Sequence, residues 1–184
     1  MRGLFMAMAI SIMVIGSAMG ADEMHPDGDS TTAKSIASEG RDVATIVRHF
    51  DSAPMAVWRA WTESEQMRRW FGSDPQGTVI AASADVRPGG NYSVTFADGD
   101  GTQHTASGKY LEVEPYSRLV FSWHWKSEAG VTSMVTVLLK PDGKGTIMHF
   151  QHAGIGYGSS HNFEKGWQDT FDKLERVLVA RDSR

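Results

Sequence analysis

His149 and His152 lie on one segment, Gly145 to His152, whose composition reads as a strand, and they are the residues best suited to metal or proton chemistry. Side chains on a strand alternate between faces, so His152 shares a face with Met148 and Phe150 while His149 points the other way. The two histidines therefore do not ligate one metal together. No H-x-x-x-H or carboxylate spacing supplies a metal site, and the chain has no cysteine. His152 is left with three roles: a buried histidine hydrogen-bonded to backbone or loop, a contact to a ligand's polar head, or a general acid or base. Glu112 and Glu114 share a strand face and are expected to be solvated rather than a catalytic pair. No G-x-S-x-G occurs, so no nucleophile elbow is present. Gly154-Ile155-Gly156-Tyr157-Gly158-Ser159 stands between a strand and a helix, where a dinucleotide fingerprint would stand. It lacks the closing glycine and a parallel βαβ setting, and is read as a flexible loop before the helix.

The aromatic residues are positioned by elements that the sequence marks more firmly. Strand one is expected at Val43 to Phe50. Pro54 then suits the first turn of a helix whose buried side carries Val57, Trp58 and Trp61. Thr62-Glu63-Ser64-Glu65 has capping-box spacing for a second short helix that ends near Trp70. Strands are expected at about Thr78–Arg87, Asn91–Phe96, Thr102–Glu112, Arg118–Trp125, Thr132–Lys140 and Gly145–His152. Glycine- and proline-rich turns separate them, which makes an antiparallel meander. On Arg118–Trp125 alternation places Leu119, Phe121, Trp123 and Trp125 together, facing the long helix, with Trp123 at mid-strand and Trp125 half exposed near the strand end. Phe163, Trp167, Phe171, Leu174 and Leu178 repeat at helical intervals and form one buried stripe, with Ser159 or Ser160 as cap. Asp169 with Lys173 and Asp172 with Arg176 stand at i, i+4 on the opposite face.

Residues 1–20 read as a secretory signal peptide: Arg2, an apolar run, and the small residues Ala18 and Gly20 before the cut. A retained membrane anchor is the alternative; with cleavage, no membrane attachment remains. The expected compartment is periplasmic or extracellular. Residues 21–42 are polar, contain no aromatic residue and read as a flexible linker. Residues 43–181 have the size of one domain. The 184-residue chain has a formal charge of −4, which becomes −5 without Arg2, and no basic run follows the leader. Nucleic-acid binding and polybasic membrane docking therefore lack electrostatic support.

The motifs Ala53-Pro54-x-x-Val57-Trp58, Trp70-Phe71-Gly72 and Arg87-Pro88-Gly89-Gly90-Asn91-Tyr92 come in an order that resembles one family. So do Gly108-x-Tyr110-x-x-Val113-x-Pro115 before Arg118 to Trp123, Phe150-Gln151-His152-Ala153-Gly154, and Gly166-Trp167. They are similar to the heat-shock-protein-90 ATPase activator homologue-like family, C-terminal-domain type, in the START-like (SRPBCC) superfamily. The resemblance covers Val43 to about Val179. It implies an α+β helix-grip fold: a curved antiparallel sheet around a long C-terminal helix, with a cavity between them. His152 stands at the family's own histidine position.

On that resemblance Trp70, Phe71, Trp123, Phe150, His152 and Trp167 are expected to border one cavity and to bind its ligand. The leading expectation is an exported protein that encloses a small apolar or amphipathic molecule, with no cofactor and no metal. A second is a START-like enzyme of cyclase, hydrolase or dehydratase type, with His152 as acid or base helped by Tyr110 or Asn91. A third is a chaperone-like interaction module. The sequence names no protein partner, and the eukaryotic activator's own action is implied to need regions beyond this domain.

Overall fold

The computed structural model describes residues 43–128, 130–155 and 163–182. The leader, the linker, most of the glycine loop, and Ser159 and Ser160 lie outside the described residues. Seven strands form one sheet: β1 (Val43–Phe50), β2 (Thr78–Ala84), β3 (Asn91–Ala97), β4 (Gln103–Glu114), β5 (Arg118–Trp125), β6 (Ser133–Asp142) and β7 (Gly145–Ala153). The helices are α1 (Pro54–Thr62), α2 (Ser64–Met67) and α3 (Phe163–Asp182). Strand order is β1-β7-β6-β5-β4-β3-β2, every neighbouring pair antiparallel. Sequential hairpins give β2 to β7, and the first strand closes against the last. Fold class is therefore α+β, as expected: a meander with two short helices after β1 and one long helix across the sheet.

Three local expectations are corrected. The Thr62–Glu65 capping box does not form: Glu63 stands at the N-cap of α2 without a side-chain cap bond. Thr62 instead closes α1, its hydroxyl donating to the Trp58 carbonyl at 2.8 Å, a back-bond that competes with capping. Strand β2 stops at Ala84 rather than Arg87. The backbone turns there, Gly90 N–H donating to the Arg87 carbonyl at 2.8 Å. On α3 the charged residues find partners other than the expected ones, Lys173 for Asp169 and Arg176 for Asp172. Asp169 accepts from Lys165, Asp172 accepts from Arg48 of β1 at 2.7 Å, and the half-buried Lys173 ammonium points at the Phe71, Asp74 and Gly77 carbonyls. An ammonium taken partly out of water needs acceptors, and these loop carbonyls supply them.

The core lies between the inner sheet face and the α3 stripe. Trp167, Phe171, Leu174 and Leu178 are all buried, as is the inward row Met148, Phe150, His152 on β7. Helix α1 covers the β6–β7 end, burying Val57, Trp58, Ala60 and Trp61. Among the described residues no helix is long and apolar enough to cross a membrane.

Candidate functional site

At the β3–β5 end the sheet is covered by the loop that follows α2 and by the first turns of α3, and a cavity of about 200 Å³ remains. The loop gives Phe71, Gly72 and Ser73. The sheet gives Phe96, Trp123 and Trp125, together with Asp98 and His104 from the β3–β4 hairpin; α3 gives Phe163, Gly166, Trp167 and Thr170. Alternation explains the sheet wall: Tyr92, Val94 and Phe96 face inward along β3, as Phe121 and Trp123 do along β5. Gly72 is needed where it stands. Its φ is +96°, and a Cβ there would lie 2.8 Å from Phe96 Cδ2, so a side chain would collide with the wall.

The polar groups of the cavity are few. Asp98 and His104 flank the hairpin turn and face each other, Oδ2 to Nε2, at 2.8 Å. Register explains the position of His104, which stands opposite Phe96 in the β3–β4 ladder. Thr170 donates its hydroxyl proton to the Gly166 carbonyl at 2.7 Å. Trp123 is 3% exposed, and its indole Nε1 has no hydrogen-bond partner among the described residues. Indole N–H only donates, and a buried donor left unpaired costs about 1–3 kcal/mol. Among the described residues no lysine or arginine lines this cavity.

Of the six residues expected to border one cavity, the structure brings Phe71, Trp123 and Trp167 to it. Trp70, Phe150 and His152 lie behind that wall, which corrects the expected geometry. Trp70 packs against Phe71 with ring centroids 4.9 Å apart and donates Nε1–H to the Ala60 carbonyl at 3.0 Å. Phe150 is enclosed by Trp61, Trp167 and Phe171. Covering makes the difference: α1 closes over Trp70 and Phe150, and α3 with β6 closes over His152, so these inward side chains meet protein instead of space.

His152 is fully buried. Trp167 Nε1–H donates to its Nδ1 at 3.0 Å, which fixes the ring proton on Nε2, and Nε2–H donates to Ser133 Oγ at 2.7 Å. Ser133 in turn points its hydroxyl at the Trp123 carbonyl, 3.4 Å away. Burial pushes the His152 pKa down to about 3, so the ring is neutral with both nitrogens engaged. This is the first of the three roles open to it on sequence. Tyr110 and Asn91, the helpers of an acid–base scheme, are not assembled around it. Tyr110 is buried on β4, three strands from β7, against Tyr92 and Phe121, and Asn91 is exposed at the start of β3.

Sequence reasoning passed over Phe96, Asp98 and His104. Alternation from Tyr92 would have found Phe96. The Asp98–His104 pair needed the hairpin register, and Asp98-Gly99-Asp100-Gly101 was readable as a turn alone. Among the described residues no group of three His, Cys, Asp or Glu could hold a metal ion. Glu112, on the outer surface, accepts from Arg118 Nε at 2.6 Å.

Several solved structures share this architecture. A protein from Rhizobium leguminosarum is 28% identical with a TM-score of 0.65, over 75% of this chain and 94% of its own. One from Chromobacterium violaceum is 22% identical with a TM-score of 0.67, over 75% and 97%. An AHSA1-like protein from Aeromonas hydrophila is 23% identical with a TM-score of 0.65, over 77% and 95%. No curated protein is similar at a comparable level. Residues 51–179 match the family described as Activator of Hsp90 ATPase homolog 1-like protein; the chain belongs to that family, within the START-like (SRPBCC) superfamily.

Proposed function

We propose that this chain is a binding protein that holds a small, neutral, largely apolar molecule in the cavity between α3 and the β3–β5 end of the sheet. The observation that carries this reading is the cavity itself: about 200 Å³, walled by Phe71, Phe96, Trp123, Trp125, Phe163 and Trp167. An engineered apolar cavity of about 150 Å³ takes up benzene, so this one suits a ring-sized molecule. Its polar groups refine the reading. Among the described lining residues the ionisable ones, Asp98 and His104, are held by one another. Among those residues a free carboxylate would meet Asp98 and no lysine or arginine.

Nile red, a neutral dye sensitive to its surroundings, tests this directly. It is expected to bind, and to be displaced by an aromatic ketone more readily than by the matching carboxylate. Gly166→Leu should abolish binding without unfolding the protein. A Cβ at Gly166 comes no nearer than 3.8 Å to Ser73 Cβ, so a longer side chain has room to grow into the cavity. Undiminished dye binding by that variant would place the dye elsewhere. A catalytic reading draws support from the Asp98–His104 pair, a carboxylate and an imidazole on one cavity wall.

The site of action we propose is outside the cytoplasm, on the strength of the leader-like residues 1–20. Exported material should begin Ala-Asp-Glu-Met; intact Met1 in the membrane fraction would argue for an anchor.

A further inference from the structure

A second, small hollow of about 10 Å³ adjoins the cavity, bordered by Trp61, Met67, Phe71, Tyr92, Tyr110 and Phe121. By volume it has room for about one water molecule. Among the described residues, Phe71 alone borders both spaces. Its ring is 3% exposed and lies parallel to Trp123, with centroids 6.0 Å apart.

The backbone holds that ring in place from both sides. Phe71 N–H donates to the Met67 carbonyl at 3.2 Å, and Gly72 beyond it turns with φ +96° against Phe96. Lys173 Nζ stands 3.5 Å from the Phe71 carbonyl. With the rings of Trp70, Trp123 and Trp167 packed around it, the Phe71 benzyl group stands as a partition between the two spaces. Trp123 lines the cavity and Trp61 the void, one on each side of that ring.

We infer that Phe71 is the specificity-determining residue that sets how long a ligand the cavity accepts. The inference rests on the cavity being the ligand site. A ring-sized molecule stops against Phe71, and a substituent directed inward meets the benzyl group. Removing that group joins the two spaces into one channel along the inner sheet face, closed at its far end by Tyr92, Tyr110 and Phe121.

The test is displacement of Nile red by a series of 4-n-alkylphenols, from phenol to 4-octylphenol, on the full domain. Wild type should bind the short members best. Phe71→Ala should move the optimum to longer chains, with a gain of about tenfold for 4-hexylphenol, equivalent to about 1.4 kcal/mol. Phe121→Leu enlarges the void behind an intact partition and should keep the wild-type optimum. Should Phe71→Ala fail to fold, Phe71→Leu should show a smaller shift in the same direction. An unchanged optimum in the Phe71 variants, or an equal shift in Phe121→Leu, overturns this inference and leaves the ligand site standing. A wild type that binds neither dye nor phenol overturns both.

Discussion

Beneath α1, Trp61, Trp70, Phe150 and Phe171 pack ring on ring; Trp61 lies 4.9 Å from Trp70, and Phe150 5.0 Å from Phe171. At the β3–β5 end, Phe71, Phe96, Trp123 and Trp125 are the same kinds of side chain, yet they surround about 200 Å³ of space. Residue type does not separate the two regions; cover does. A helix nine residues long lies over the first, whereas a loop and the first turns of α3 roof the second. A solid core and a hollow site can thus be built from one aromatic vocabulary, and the helices decide which is which.

That contrast is open to attack with paired substitutions. Trp70→Ala, on the solid side, should cost about 3–5 kcal/mol, the usual effect of emptying a large aromatic site, and it also strips the Ala60 carbonyl of its indole donor. Trp125→Ala, on the hollow side, removes a half-buried ring and should cost about 1–2 kcal/mol. Chemical denaturation measures both; equal losses would mean that the cavity end is packed as firmly as the core.

A smaller effect probes the hydrogen-bonded seam between the two regions. His152 keeps a pKa of about 3 in the folded protein against 6.5 when unfolded. Below pH 6.5 the unfolded chain takes up a proton that the folded one refuses, so stability is fully present above 6.5 and declines toward pH 3. Between pH 7 and pH 5 the loss should be about 2 kcal/mol from this group. His152→Gln should be less stable at pH 7 and should lose less on acidification. A variant with undiminished acid sensitivity would show that other groups carry it.

How much of this was legible depended on the range of the determinant. The α3 stripe and the strand faces are local periodicities, so Trp123 and Trp167 could be placed on inward faces from spacing alone. Phe150 and His152 were placed inward by the same alternation, and the structure agrees that they are buried. Alternation says which face a side chain takes, however, and not what stands opposite. Whether Phe150 meets protein or space depends on where α1 lies, a tertiary fact. The Asp98–His104 pair depended on the pairing of two strands, and the Lys173 contacts on a loop a hundred residues earlier. Charges on α3 were read against their own helix; for Asp172 and Lys173 tertiary partners prevailed, while Asp169 turned to Lys165 on the same helix.

The pairing of β1 with β7 bears on the order in which the molecule can be completed. Val43 stands opposite Ala153 and Phe50 opposite Thr146, so the first strand has no sheet neighbour until the seventh exists. Loop closure over roughly a hundred residues must precede that ladder, which favours slow folding. During synthesis the β2–β6 meander can assemble as it emerges, while β1 waits. Helix α3 arrives last, and Arg48 on the waiting strand then ties to Asp172 on it. The cavity is accordingly a late product of folding, since Phe163, Gly166, Trp167 and Thr170 reach it only when the final helix docks.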